Sequence, residues 1–371
     1  MKMLEMQKLW CQGKIDKKIY WMLMRENYTC ILPQIQSLIQ ENKDCQSITI
    51  SENGCILEKR NGVKLYFDFS QSVCRAEAEL LMGEDPEKED MAYVNQYLLK
   101  NPCQTVLDIG ANAGLFSLEL YQQNSHLTYH VFEPLPSTFQ KLADTAALNH
   151  ADTARYIIHN TGLSDKAGIF DFYLPAASEA ASLRPVDDAF YLKESSPMGE
   201  YTGAQKLEKI SCSVDTVDHF AAAHTLQDIG FIKIDTEGNE KFVLEGAVHT
   251  LQTHRPLVYC ELLRKHAKRF GYHPNEVIGF MKKLGYACQT IRNGILTGIE
   301  EITEQTAETN FFFAHAARGG GGKSWCGIIT VIRKFTIDIN QRITSSFRNI
   351  IAVLTGFCAF PACKTPIDFC M

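Results

Sequence analysis

The 371-residue sequence contains no C-x-x-C pair among its 13 cysteines. Zinc sites need close ligand pairs, and secreted disulfide scaffolds are short and evenly paired, so neither class fits. The thiols are expected to be buried and free, in a reducing compartment. The sequence also lacks a run of about 18 apolar residues, which argues against a spanning helix. Its first residues, MKMLEMQKLWCQGKIDKK, are broken by charge throughout, unlike a signal peptide. The cytoplasm is therefore the expected location. A positive surplus is missing too: the net charge is −6, which gives no support for binding nucleic acid non-specifically.

What is present is enough for a large α/β domain with additions, at 45% hydrophobic and 22% charged residues. Charge is unevenly spread. From Arg318 onward seven Lys/Arg face two Asp, leaving −11 on the preceding residues. This tail follows Gly319 to Gly322, a linker-like run. It is expected to be flexible or loosely docked, with contact at a membrane surface through its basic segment as a second reading.

Residues 1–45 form a helical extension, with Leu32, Ile35, Leu38 and Ile39 at helical spacing. Residues 46–100 hold a β-meander, signalled by Asn53-Gly54 and Asn61-Gly62, and a linking helix through Met91–Leu99. From 101 to 317 strands alternate with helices: CQTVLDI, LTYHVFE, ARYIIHN, GIFDFYL, IGFIKID and PLVYCEL are the strands. ACQTI and NFFFAHA read as a closing antiparallel pair. Pro136 suits the first turn of a helix that Asn149 would close in a left-handed cap. Val243, Leu244, Ala247, Val248 and Leu251 mark one face of a further helix. A long loop over about 176–209 is expected to cross the active face. The pattern implies a doubly wound, mostly parallel sheet with helices on both faces.

The stretch TVLDIGANAG holds the first strand-to-helix turn, where open α/β sheets bind ligands. Gly110, Ala111, Asn112, Ala113 and Gly114 allow a tight backbone. A nicotinamide fingerprint would read G-x-G-x-x-G, but Asn112 stands where a second glycine would be. Asp108, just before the turn, would repel a pyrophosphate. It would complement a ligand carrying an ammonium and a sulfonium, which points to S-adenosylmethionine. Glu133, ending the second strand in HVFEP, can accept from both ribose hydroxyls.

The sequence resembles the FkbM-type class I methyltransferases in VLDIGANAGLFSL, VFEP, GLSD, FIKIDTEGNEKFVLEGA and RPLVYCEL. The resemblance runs from the Asn-Gly meander through Ala317. It implies a Rossmann-like fold with a seven-stranded sheet and S-adenosylmethionine as cofactor. Asp108, Gly110, Ala111, Asn112 and Gly114 would line the methionyl end, Glu133 and Pro134 the ribose, and Ser164 and Asp165 the adenine. It further implies O-methylation of a sugar, glycan or secondary-metabolite hydroxyl.

KIDTEGNE is a second dense site. Lys233, Asp235 and Glu237 close one strand and Glu261 the next, so that three acids are candidates for a general base and Lys233 for polarising the acceptor. A purely supporting network is the other reading of these four residues. The acids lack an additional metal-ligand motif, so no metal is expected. His266, Arg269 and Tyr272 read either as acceptor contacts or as scattered charge on a solvated helix. Ser182, Leu183 and Arg184 are candidates for a lid. The competing functional readings are a nucleotide-dependent oxidoreductase, disfavoured by Asp108, and an inactive interaction module that retains the fold.

Overall fold

The computed structural model describes residues 3–52, 54–67, 87–174, 182–184 and 208–318. Asn53, most of the expected 176–209 loop and the tail beyond Arg318 lie outside the described residues. Contacts divide the chain into two units, Met1–Ile291 with Leu296–Gly321 and Arg292–Ile295 with Gly322–Met371. Only Arg292–Ile295 of the second is described.

Helices α1 (Met3–Cys11) and α2 (Lys17–Glu41) open the chain, and the Asp16 carboxylate caps α2 by accepting from the Ile19 N–H at 2.8 Å. Strands β1 (Cys45–Ser51), β2 (Gly54–Lys59) and β3 (Lys64–Phe67) form the expected antiparallel meander. Helix α3 (Lys88–Lys100) covers the expected linking segment. Further on lie β4 (Thr105–Ile109), α4 (Leu115–Gln123), β5 (Thr128–Phe132), α5 (Pro136–Leu148) and β6 (Tyr156–His159). The meander is fastened to this part twice. Lys59 and Asn61 both bond the Glu119 carboxylate on α4, and the Asn149 amide exchanges two hydrogen bonds with the Lys64 backbone. That second task explains a departure from expectation. Asn149 has φ −91° and the left-handed residue is His150, one position later.

Strands β7 (Gly162–Leu163), β8 (Gly168–Leu174) and β9 (Glu208–Asp215) make a separate three-stranded sheet. GIFDFYL was expected in the main sheet but forms β8 here. Only Phe172 is buried along it, and Asp171 pairs with Lys209 at 2.7 Å, so it lacks the two apolar faces a central strand needs.

The remaining elements are α6 (Val217–Ala223), β10 (Ile229–Ile234), α7 (Glu240–Glu245), α8 (Val248–His254) and β11 (Leu257–Glu261). They are followed by α9 (Arg264–Arg269), α10 (Pro274–Lys283), β12 (Tyr286–Arg292), β13 (Ile295–Gly298) and β14 (Asn310–His315). The one helix expected across 243–251 is two, α7 and α8. They break at Gly246, where any Cβ would overlap the Ser164 carbonyl oxygen.

The main sheet has the order β13-β12-β14-β11-β10-β4-β5-β6. Strands β11, β10, β4, β5 and β6 run parallel, while β14 is antiparallel to both neighbours, including the expected pair with β12. The described sheet is thus mixed and eight-stranded, where seven were expected. The extra strand is β13. Asn293 and Gly294 before it both have positive φ, 52° and 72°, the geometry that favours a tight hairpin. Alternation along the central strands sorts the core. Leu107, Ile109, Ile232, Ile234, Val258 and Cys260 pack on one face, and Val106, Val131, Phe231, Tyr259 and Phe312 on the other. Fully burying each such aromatic or branched side chain contributes about 1.5–3 kcal/mol.

A histidine pair sits in this core. His130 Nδ1 and His159 Nε2 are 3.0 Å apart, with Phe132 stacked on His159, Phe220 edge-on to it and His224 stacked on Phe220. Burial and then the neighbouring imidazoles hold both well below the ordinary value of 6.5, at about 4. The unfolded chain therefore takes up protons first as pH falls. Stability contributed by this pair is fully present above about 6.5 and is lost progressively toward about 4. Denaturant midpoints measured over that window should fall more steeply for the native sequence than for His159→Gln.

Candidate active site

The chain order reverses between β4 and β10, so the turn after β4 opens at the carboxyl edge of the sheet. Gly110, Asn112 and Gly114 have φ of 81°, 53° and 79°, and the Gly110 and Ala111 N–H groups both donate to the Phe132 carbonyl. The glycines are required by protein neighbours. A Cβ on Gly110 would overlap the Asp235 carbonyl oxygen, and one on Gly114 would overlap Leu142. At both glycines the position a Cβ would take is thus occupied by the chain itself.

Asp108 precedes the turn and is 1% exposed. Neither carboxylate oxygen has a hydrogen-bond partner among the described residues. Its strand neighbour in register is Lys233 on β10, itself buried. Burial pushes the Asp108 carboxyl up, and the Lys233 ammonium and then the nearby Ser117 hydroxyl oppose that shift. Lys233 donates to Asp235 Oδ2 at 3.1 Å and lies 5.5 Å from the centre of the Phe116 ring. Burial disfavours its charge, but Asp235, Asp108 and Glu87 outweigh burial and hold it protonated.

Glu133 stands at the end of β5. Its Oε2 accepts from the Asn112 N–H at 3.1 Å and its Oε1 from the Leu135 N–H at 3.0 Å. Two of its roughly four lone-pair sites are thereby used. Burial raises it to about 7, against those two N–H bonds. The turn and both acids thus form one constellation. Pro134 is half-buried, its carbonyl accepting from Asn160. Ser164 is committed elsewhere: its hydroxyl bonds Asn239 at 3.0 Å and Asp165 at 3.2 Å, joining the end of β7 to the loop after β10. Asp165 is exposed.

That loop, Asp235–Asn239, is organised by Glu240. Its Oε1 accepts from the Thr236 and Gly238 N–H groups and the Thr236 hydroxyl, and its Oε2 from Tyr272 at 3.1 Å. Glu237 adopts φ 57°. His266 Nδ1 is 3.0 Å from Glu237 Oε2, off the axis of a hydrogen bond, and 3.7 Å from Glu261 Oε2. Arg269 lies 3.7 Å from the same Glu237 oxygen. Burial opposes charge on His266, but the two carboxylates outweigh it and raise it to about 9. Burial and the Asp235 charge push Glu261 upward. His266 and Tyr272 are buried within this network, so the reading of α9 and its flank as a solvated charged surface is corrected. Ser182 also reaches it, donating to the Glu237 carbonyl at 3.4 Å, and the Arg184 guanidinium sits 5.9 Å from the Phe270 ring.

Besides Glu240, three participants, Tyr259, Asp90 and Glu87, were not singled out from the sequence. The Tyr259 hydroxyl contacts Asp90 at 2.7 Å and Glu87 at 3.2 Å, on the face that carries Asp108 and Lys233. Burial raises Glu87 to about 7 and Asp90 to about 6. The available signal was Tyr259 itself, two residues before Glu261 and therefore on the same strand face. Among the four acceptor-side candidates, Asp235 has the most open side chain at 36%, against 25% for Glu237, 22% for Glu261 and 6% for Lys233.

The family model of the methyltransferase FkbM domain matches residues 108–288. The 31-O-demethyl-FK506 methyltransferase FkbM of Streptomyces tacrolimicus is 29% identical over 170 residues, 42% of this chain. The match spans 64% of that relative's length. Among solved structures, methyltransferase FkbM from Methylobacillus flagellatus KT matches with a TM-score of 0.35 at 14% identity, over 78% of this chain and 60% of that one. The O-methyltransferase from Bacillus cereus, solved with SAH, matches with a TM-score of 0.34 at 12% identity, over 62% and 81%. The stretch similar to the methyltransferase FkbM domain begins at Asp108 and takes in Glu133, the Asp235–Asn239 loop and Glu261.

Proposed function

We propose that residues 101–317 form an S-adenosylmethionine-dependent O-methyltransferase acting on a hydroxyl of a sugar, glycan or secondary metabolite. The observation that carries the cofactor is Asp108. A buried carboxylate with neither oxygen in a well-formed hydrogen bond, and with its neighbouring lysine shared with Asp235, is costly, and a cationic ligand at the turn relieves that cost. Asp108 would hold the methionyl ammonium, and Glu133 would accept from the ribose hydroxyls with the lone pairs its backbone partners leave. Gly110, Ala111, Asn112 and Gly114 shape the intervening turn. Pro134, Ser164 and Asp165 border the ribose and adenine side in this reading. When bound, the cofactor supplies a methyl group on a cationic sulfur.

The chain's part in the reaction is alignment and proton removal. Alignment of the acceptor oxygen can lower a barrier by ~7–11 kcal/mol, and a positioned base adds about 10²–10⁴-fold. Asp235 is the best-placed base, because it is the most open of the three acids and Lys233 fixes one of its oxygens. Glu237 and Glu261 face His266, which suits them to shaping the acceptor side. The Streptomyces relative is named for a 31-O-demethyl substrate, which supports an oxygen acceptor.

Isothermal titration with S-adenosylmethionine and its demethylated product tests the cofactor directly; absence of binding by both overturns it. Glu133 holds a proton up to about 7 in the free protein, and a ribose hydroxyl prefers the carboxylate. Affinity for the demethylated product should therefore weaken as pH falls below about 7, by at most roughly tenfold per unit per proton, with proton release detectable in buffers of different ionisation enthalpy. Asp108→Asn should separate binding from folding. Cofactor affinity should drop by an amount on the order of 2–5 kcal/mol, while the thermal midpoint of the free protein stays level or rises. In methyl-transfer assays Asp235→Asn should lower kcat by about 10²–10⁴-fold with little change in cofactor affinity. The opposite pattern would reassign the base.

A further inference from the structure

The α1–α2 hairpin carries a set of large apolar side chains on its surface. Trp10 stacks on Tyr20 with ring centroids 4.8 Å apart, and Trp21 meets Tyr20 edge-on at 5.9 Å. Beside them Ile19 is exposed, and Trp21 and Met22 are 58% and 60% exposed. Two of the chain's three tryptophans therefore sit together in water on one hairpin. Exposed apolar groups on this scale mark a contact surface.

The surrounding charge says what the contact is. Lys8, Lys14, Lys17 and Lys18 are all exposed, and Lys17 and Lys18 precede Trp21 and Met22 by four residues, one helical turn. From Lys8 to Arg25 there are five Lys/Arg and one Asp, in a chain whose net charge is −6. Lysine is depleted in the dry centre of protein interfaces. Lysine interleaved with Trp and Tyr is instead the chemistry of the lipid headgroup boundary, where indole and phenol rings lie half-immersed and ammonium groups reach phosphates. No helix among the described residues is long and apolar enough to cross a membrane, so the hairpin would lie on the surface.

We propose that the α1–α2 hairpin docks the protein on an anionic phospholipid surface, with Trp21 and Met22 entering the headgroup boundary and Lys8, Lys14, Lys17 and Lys18 on lipid phosphates. This assignment stands independently of the methyl-transfer reading.

Full-length protein is sedimented with vesicles of phosphatidylcholine alone and of phosphatidylcholine with roughly one-third phosphatidylserine, at several salt concentrations. Co-sedimentation with the anionic vesicles, weakening with salt, is expected, with little on the neutral ones. In a Trp325→Phe background, emission from Trp10 and Trp21 should shift to the blue on binding. Lys17→Glu with Lys18→Glu should cut partitioning by about tenfold or more, and Trp21→Ser with Met22→Ser should abolish the emission shift. All four positions are exposed, and unchanged circular dichroism would show that folding is retained. Absence of anionic-vesicle binding, or binding unaltered in both double variants, overturns the proposal. So does a lipid-independent dimer that the Trp21/Met22 variant dissociates, which would assign the surface to a second copy of the chain.

Discussion

A single ammonium group makes the carboxyl edge of this sheet tenable. Lys233 is buried between Asp108, its register neighbour, and Asp235, its hydrogen-bond partner, with Glu87 close enough to stabilise its charge. Like charges gathered in a low-dielectric site repel strongly, and one buried cation offsets much of that repulsion. The aromatic floor supports the arrangement, since Phe116 lies under the ammonium and stacks on Tyr259, whose hydroxyl reaches Asp90 and Glu87. The sheet brings β4, β10 and β11 side by side, and that adjacency is what makes one lysine sufficient.

The structure also separates groups that hold the site from groups left open for chemistry. Glu240, Asn239, Ser164 and Tyr272 spend their polar atoms on the protein itself, fixing the loop after β10. Asp108 makes no well-formed hydrogen bond and relies on the shared Lys233 charge, and Asp235 keeps a substantial exposed fraction. A buried acid without a well-formed hydrogen bond lowers the stability of the free protein, a cost that binding-site residues commonly carry.

Much of this was legible in the sequence because apolar periodicity and strand-end acids report local geometry. VLDIG and FIKID announced their strands, and Asp108, Glu133 and Asp235 stood where such strands end. Less legible were features set by distant neighbours. Asn149 does cap its helix, but without the left-handed geometry expected of it, because its amide is also bound to Lys64, 85 residues away in sequence. Gly246 broke a periodic helix because the Ser164 carbonyl lies against it. GIFDFYL has strand propensity, but propensity does not say which sheet a strand joins. His266 looked like one charge among several on a polar helix; two carboxylates from separate segments make it a buried cation.

The contact between Gly110 and the Asp235 carbonyl has an evolutionary consequence. The turn proposed to hold the methyl donor and the loop proposed to face the acceptor share one backbone junction, so neither can drift without the other. On the proposed reading, new acceptor preferences are reached most readily by changing segments that approach this loop from outside, such as Ser182–Arg184, whose serine bonds the Glu237 carbonyl. Chimeras that exchange the 235–239 loop alone would have to import the matching turn with it.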